Sequence, residues 1–453
     1  QYNAAFGANT LKANTTANNN TAIGYNSLAA NTTGTGNTAV GQGCLDATTT
    51  GSYNAALGNG ALGSNTTGNT NVAVGYQALF GNTTGINNVA VGMQSFDGST
   101  TASNCTAVGQ GALGGSNTGD FNVAVGTASL PSNTSGANNT ALGTYALYTN
   151  STASNNTAVG KSALQLNTTG AENVAVGSLC LDANTTGDEN TAIGKSALGN
   201  NTTGEYNTAV GKSALQSNTT ASNNTAIGKS ALLVNTTGAD NVSVGAYSLD
   251  ANTTASFNTA VGRSALTQNT TGANNTGIGY LSLSNNSTAS NNTGLGYLSL
   301  NQNTTGAQNV AVGSKALDNN TTGSNNVAVG FEALDTNTTG IKNIAIGYQC
   351  LKTNNANSNT AVGHQTLRSN STGSLNVALG LEPLYNNTTG TRNVAIGSPA
   401  MYTNTTGGYN VAIGKDALNA LNVGGDSNVA IGLNALKVNV AGGNNTAVGT
   451  NTL

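Results

Sequence analysis

The sequence predicts an all-β fold, a parallel β-solenoid (β-roll) of about 27 coils, and three observations lead to it. A unit of 17 residues repeats along the chain, so that Asn190–Gly194 (Asn-Thr-Ala-Ile-Gly) returns at Asn207–Gly211 and again at Asn224–Gly228. Between Asn3 and Asn445 the unit occurs 27 times, and its apolar residues stay in phase throughout. A fixed short period of this kind is typical of solenoids, in which each repeat packs mainly on its neighbours.

Each unit, numbered here from its leading Asn, predicts one coil with two short strands. Positions 2 to 4 usually alternate β-branched, small and β-branched residues, which favours a strand. Position 5 is Gly in every copy, so we expect a positive φ or a close backbone approach there. Positions 8 to 10 carry Leu at position 9 in 25 copies and predict the second strand. Positions 12 to 15 are typically Asn-Thr-Thr-Gly, which is a turn sequence.

The side chains at positions 4 and 9 are predicted to fill a thin interior. Position 4 is Val, Ile, Leu or Phe in every copy, and position 9 is almost always Leu. We therefore expect Val210, Leu215, Ile227 and Leu232 to be buried. The Asn at position 1 is predicted to stack on itself as a ladder, each amide bonding to the next.

Position 3 is Ala in 24 of the 27 copies and is never charged or large. Strand neighbours point to opposite faces, so position 3 faces away from the interior if position 4 faces into it. One interpretation is close packing against identical chains around a shared axis, giving a homotrimer or a filament. The other is a crowded internal corner. The first interpretation predicts an interface that includes Ala192, Ala209, Ala226 and Ala260.

Domain organisation and charge follow from the same pattern. The unbroken period predicts that residues 1–453 form a single continuous solenoid array, part of a longer fibre. Charged residues make up only 6% of the chain, against about 25% in ordinary soluble proteins. The few cations form no basic stripe, which argues against a nucleic-acid partner. No run of about 18 apolar residues is present, so we expect no membrane insertion.

The sequence offers no set of residues for catalysis, and we expect no enzyme and no cofactor. The only histidine, His364, lies at the variable position 6. No His or Cys cluster has the spacing of metal ligands, and no Asp recurs in every coil as in calcium-binding β-rolls. The cysteines are at least three repeats apart, which is too far for a disulfide in a stack of coils, and three of them share position 8 as small core residues. They are Cys44, Cys105, Cys180 and Cys350.

Two further surfaces are variable or turn-forming. Positions 6 and 7 hold many of the aromatic and cationic residues, and they are either a plain solvated face or the place where a ligand is recognised. The Asn-Thr-Thr turn supplies N-x-S/T acceptors in most coils, so it is either turn geometry alone or a row of glycosylation sites. The sites predicted by the second interpretation include Asn167, Asn184, Asn201 and Asn218.

The motifs Asn393–Gly397 and Asn410–Gly414 (both Asn-Val-Ala-Ile-Gly) resemble the S-V-A-I-G repeat of trimeric autotransporter adhesin heads. The recurring N-T-A-V-G and N-T-T-G are similar to repeats of phage tail-fibre-like surface proteins. The resemblance implies a left-handed parallel β-roll with three chains side by side. It also implies an extracellular place, on a cell or virion surface, and a cell-surface or glycan receptor. The adhesin-head repeat is shorter, and the extra length here falls around the Asn-Thr-Thr-Gly turn.

Three functions remain open from the sequence. The first is a structural extracellular fibre, the shaft of an adhesin or tail-fibre-like protein used for attachment without catalysis. The second is a self-assembling extracellular filament. The third is an ice-binding solenoid, which would use the Thr rows at positions 13 and 14, although adjacent Thr residues on a turn point in different directions.

Overall fold

The computed structural model of the chain describes residues 2–420 and 425–453. Within these residues the chain is all-β, and each repeat contributes one strand of three residues at positions 2 to 4. Two units are distinguished, Gln1–Asn224 and Thr225–Leu453. The first unit contains β1 (Ala4–Phe6), β2 (Thr21–Ile23), β3 (Thr38–Val40), β4 (Ala55–Leu57), β5 (Val72–Val74), β6 (Val89–Val91), β7 (Thr106–Val108), β8 (Val123–Val125), β9 (Thr140–Leu142), β10 (Thr157–Val159), β11 (Val174–Val176), β12 (Thr191–Ile193) and β13 (Thr208–Val210). The second contains β14 (Thr225–Ile227), β15 (Val242–Val244), β16 (Thr259–Val261), β17 (Thr276–Ile278), β18 (Thr293–Leu295), β19 (Val310–Val312), β20 (Val327–Val329), β21 (Ile344–Ile346), β22 (Thr360–Val362), β23 (Val377–Leu379), β24 (Val394–Ile396), β25 (Val411–Ile413), β26 (Val429–Ile431) and β27 (Thr446–Val448).

Inside each unit, every strand pairs in parallel with the strand of the next repeat. Equivalent positions face each other, as Ala192 of β12 faces Ala209 of β13. The same register recurs in the second unit, where Ala311 of β19 faces Ala328 of β20. The predicted parallel β-solenoid with one coil per 17-residue repeat is therefore confirmed.

The prediction of a second strand at positions 8 to 10 is wrong. These residues form turns, and Leu198 and Leu215 at position 9 have φ values of 51° and 52°. A positive φ is incompatible with an extended strand, and for a bulky residue it costs about 1 kcal/mol or more. The left-handed turn bends the chain sharply, so that each leucine is carried underneath the three-residue strand.

The interior is formed by positions 3 and 9, and not by positions 4 and 9. Leu215 and Leu232 are fully buried, as predicted. Val210 is only half-buried and Ile227 is 40% exposed, so the prediction for position 4 is wrong. The physical reason is the narrowness of the coil. At Gly277, a position 3 without a side chain, an added Cβ would lie only 3.2 Å from Cγ of Leu266, so the space above the leucine fits little more than a methyl group.

The glycine at position 5 fulfils both expectations. Gly194 has a φ of 127°, and a Cβ placed on it would lie 2.6 Å from the carbonyl oxygen of Gly211 in the next coil. Any side chain here would collide with backbone that has no freedom to move away.

The shorter of the two repeats of unusual length keeps the stack in phase through one side chain. The repeat from Asn343 to Asn359 is one residue short, and the side chain of Asn355 replaces the missing backbone acceptor. Its Oδ1 accepts hydrogen bonds from the backbone N–H groups of Thr338 (3.1 Å) and Thr339 (2.9 Å). The longer repeat, from Asn410 to Asn428, includes residues 421–424, which lie outside the described residues.

Candidate functional site

The asparagines at position 1 form the predicted ladder inside each unit. The Oδ1 of Asn190 accepts hydrogen bonds from the backbone N–H (3.0 Å) and from Nδ2 (3.1 Å) of Asn207 in the next coil. The Nδ2 of Asn207 also donates to the carbonyl of Ala221 at 2.9 Å. Both asparagines are fully buried, so their amide groups satisfy backbone groups that water cannot reach.

A second ladder, which the sequence analysis missed, runs through the asparagines at position 12. The Nδ2 of Asn184 donates to Oδ1 of Asn167 and to the carbonyl of Gly187, each at 2.9 Å. The Oδ1 of Asn184 in turn accepts from Nδ2 of Asn201 at 2.9 Å. The recurrence of Asn at one fixed position was the available signal, but it was interpreted as exposed turn chemistry.

This second ladder overturns the predicted glycosylation sites. Asn167, Asn184, Asn201 and Asn218 are fully buried, and each Nδ2 donates two hydrogen bonds. An N-linked glycan needs an exposed Nδ2 on a surface loop. In the folded chain these four residues are therefore structural, and the N-x-S/T pattern reflects the turn.

The position-12 ladder is interrupted where another residue replaces Asn. Thr48 offers a hydroxyl to Nδ2 of Asn65 at 3.3 Å, and Oδ1 of Asn31 below it has no hydrogen-bond partner. At the second interruption, Ser99 and Oδ1 of Asn82 are both without partners. These coils carry unsatisfied buried polar atoms, each of which costs about 1–3 kcal/mol.

The predicted interface alanines lie inside the coil. Ala192, Ala209, Ala226 and Ala260 are fully buried within the single chain. The prediction that chains contact each other through these residues is therefore wrong, and the interpretation of position 3 as a crowded internal corner is correct. The cause is that position 3, and not position 4, faces the interior. The small residue fits over the leucine, and its larger neighbours point outward.

The outward side chains at positions 2 and 4 form a surface that we call the strand face. Position 4 remains well exposed in many coils, for example 42% at Leu142 and 41% at Ile193. Position 2 is Thr, Val, Ile or Ala, and neither position is charged in any repeat. Exposed apolar patches that recur over many coils mark interaction surfaces, because ordinary solvated faces carry charged residues.

Charged residues border the strand face in the second half of the first unit. We call Glu172, Asp188, Glu189 and Glu205, at positions 16 and 17, the acidic edge, and Lys161, Lys195 and Lys212, at position 6, the basic edge. The only ion pairs among the described residues are Lys352–Glu332 and Lys437–Asp416. The acidic edge raises the pKa of the exposed Tyr206, and the largest contribution comes from Glu189.

Aromatic residues at position 6 stack from coil to coil in the second unit. The rings of Phe331 and Tyr348 are 5.6 Å apart, those of Tyr348 and His364 5.1 Å, and those of Tyr280 and Tyr297 5.9 Å. In all three pairs the ring planes are nearly parallel, with interplanar angles of 11–14°. The single histidine is therefore part of a stacked row of rings.

Aspartates at position 10 form a group that the sequence analysis did not single out. Their carboxyl groups are partly buried against the turn, and this desolvation raises the pKa of each one. For Asp335 the pKa rises to about 6, because Glu332 and Asp318 add repulsion to the burial. Their shared repeat position was the signal that could have identified them. The group comprises Asp46, Asp97, Asp182, Asp250, Asp318 and Asp335.

The four cysteines are free, buried thiols. Burial raises the pKa of Cys44, Cys180 and Cys350 to about 12, which leaves them protonated and unreactive at neutral pH. The Sγ of Cys180 donates to the carbonyl of Ala192 at 3.1 Å. The interpretation of these three position-8 cysteines as small core residues is confirmed.

The described residues contain neither a metal-binding cluster nor a membrane-spanning helix. Residues 2–420 and 425–453 contain no group of three or more His, Cys, Asp or Glu side chains placed to hold a metal ion. The same residues include no helix that is long and apolar enough to cross a membrane. Comparison with models of known protein families and with curated proteins finds no match.

Proposed function

We propose that the chain is the structural shaft of an extracellular fibre, adhesin-like or tail-fibre-like, that assembles with copies of itself through the strand face. The observation that carries the proposal is the uncharged, largely apolar row at positions 2 and 4, which recurs in every repeat. The assembly is a homotrimer, as the resemblance to adhesin heads implies, with a filament as the alternative. The role is attachment, without catalysis.

The thin interior of the coil supports this proposal. The largest side chain that a regular coil buries is one leucine, accompanied by alanines and by the two amide ladders. Burial of apolar surface contributes about 25 cal/mol per Å². Residues such as Ile193 and Leu142 leave about two-fifths of their surface in water. Covering the strand face with another copy would therefore add stabilisation that the single coil lacks.

A receptor would contact a different surface in this proposal. The stacked rings at position 6, including Tyr280 (44% exposed) and Tyr297 (49% exposed), form an aromatic strip that is partly open to solvent. Tyrosine combines an apolar ring with a polar hydroxyl group, which suits contact with a ligand that is partly apolar and partly polar, such as a sugar. A cell-surface or glycan receptor at positions 6 and 7, and a place on a cell or virion surface, belong to the same proposal.

The ice-binding alternative is disfavoured by the hydroxyl groups of the Thr row at position 13. The Oγ1 of Thr185 donates to the carbonyl of Thr202 in the next coil at 3.0 Å, and Thr168 bonds in the same way to Thr185 at 2.9 Å. Because these hydroxyl protons already donate to carbonyl groups of the next coil, they cannot donate to the water molecules of an ice surface. Only position 14 would remain for that function.

Sedimentation velocity tests the proposal. The wild-type chain should sediment as an oligomer, and the double variant Ile193→Lys with Val210→Lys should sediment as a monomer with an unchanged circular dichroism spectrum. The matched control, Thr186→Lys with Thr203→Lys, adds the same charge at exposed position-14 residues of neighbouring coils and should leave the oligomer intact. A wild-type chain that stays monomeric at high concentration would refute self-association.

A further inference from the structure

We propose that the acidic edge of one copy docks against the basic edge of the next, so that the copies assemble in parallel. The inference rests on the proposed self-association through the strand face, and it adds the residues that decide the relative direction of the chains. The apolar row alone cannot decide it, because the thirteen strands of the first unit present nearly the same outward residues in either direction.

The two edges lie on opposite sides of the same strands. Glu189 directly precedes the Asn190 rung, β12 spans Thr191–Ile193, and Lys195 follows after one glycine. Glu205 and Lys212 border β13 in the same order. Both lysines and Glu189 are exposed, and none of the three joins either ion pair of the described residues. The charges are separated by the width of the strand face and are free to meet a neighbouring molecule.

Within the first unit, each edge carries charges of one sign only. In the first unit every charged residue at position 6 is a lysine, and every charged residue at positions 16 and 17 is an aspartate or glutamate. All of them lie between Asp120 and Lys212, so the earlier coils of the unit have uncharged edges. A displacement that brings the edges of one copy against those earlier coils of another would therefore lose every charge contact.

The symmetry of the assembly links the signs of the two edges to the relative direction of the chains. In a closed ring whose axis is parallel to the stack of coils, the position-17 edge of each copy meets the position-6 edge of its neighbour, whatever the number of copies. Acidic residues then face lysines. In an antiparallel face-to-face pair, a two-fold axis along the strands places acidic edge against acidic edge and basic edge against basic edge. Electrostatic complementarity therefore favours the parallel ring and opposes the antiparallel pair.

Charge reversal tests the edge contact. One variant carries Glu189→Lys and Glu205→Lys, which places lysines on both sides of β12 and β13. A second variant carries Lys195→Glu and Lys212→Glu, which places acidic residues on both sides of the same two strands. Each should weaken association on the order of tenfold, while the quadruple variant, with the charges that border β12 and β13 exchanged, should recover wild-type association. Raising the NaCl concentration should weaken the wild type and the quadruple variant alike.

The outcomes separate the two proposals. If the oligomer forms and Ile193→Lys with Val210→Lys disrupts it, but both edge variants associate like the wild type, the strand-face proposal stands and the edge contact is refuted. A quadruple variant that fails to recover association, although it is folded by circular dichroism, would also refute the edge contact. If the wild type never associates, the proposed function itself fails. The control for added charge is again Thr186→Lys with Thr203→Lys.

Discussion

The two sides of each three-residue strand contrast in a way that residue size alone does not suggest. The inner side carries alanine, fully buried at Ala192 and Ala209. The outer side carries the larger residues, and Ile193 is 41% exposed. The inner side is small because the position-9 leucine already occupies the interior, whereas the outer side is left partly exposed to water. In this repeat the invariant small residue marks the interior, and the larger apolar residues form the surface that we propose for association.

The largest expected effect comes from placing a charge on the inner side. Ala209→Lys should destabilise the fold by more than about 3 kcal/mol, because an unpaired ammonium group would enter a site that fits only a methyl group. Thr208→Lys, one residue away on the outer side, should change the stability of the single chain by about 0.5 kcal/mol or less. Denaturant unfolding under conditions where the chain is monomeric measures both. Equal losses for the two variants would contradict the assignment of sides.

A smaller effect is expected from one rung of the position-12 ladder. Asn184→Ala leaves Oδ1 of Asn167 and one amide hydrogen of Asn201 without partners, which should cost about 2–3 kcal/mol. The control is Asn200→Ala, which removes an exposed asparagine in the next coil and should be nearly neutral. Hydrogen exchange should show the loss of protection in the coils around Asn184. Unchanged protection there would mean that the ladder contributes little.

The smallest effect concerns Asp335, at the boundary between interior and surface. Its folded-state pKa of about 6 is above the unfolded value, so the folded state binds the proton more tightly. The contribution of Asp335 to stability is therefore greatest in acid and falls as the pH rises from about 4 to about 6. Denaturant unfolding across this range should show the wild type losing stability relative to Asp335→Asn. A relative gain with rising pH would contradict this sign.

Much of the fold was predictable from the repeat itself. The period gave the number of coils, the alternation at positions 2 to 4 predicted the strand, and the invariant glycine predicted the crowded turn seen at Gly194. The burial of Leu215 and the ladder at Asn190 and Asn207 were also predictable, because both follow from stacking identical positions on one another. Stacking is a property of the period, and the period is visible in the sequence.

The sides of the strand were not predictable by the same means. Alternation shows that positions 3 and 4 point in opposite directions, but it does not show which one points inward. That choice depends on the left-handed conformation of residues such as Leu198 and Leu215, which sequence propensity disfavours for leucine. The burial of Asn184 was missed for a related reason, since turn propensity describes the backbone and not the direction of the side chain.

The one-directional hydrogen bonds of the amide ladders have a mechanical consequence. In each ladder the amide of the later coil donates to the earlier one, so a regular coil-to-coil junction within a unit holds strand, amide and threonine bonds side by side. Tension that peels one end must break a whole junction before releasing its 17 residues, which extend to roughly 55–60 Å. Unravelling would thus proceed in nearly even steps, and incomplete junctions of the first unit, such as those at Asn14, Thr48 and Ser99, would yield at a lower force than complete ones.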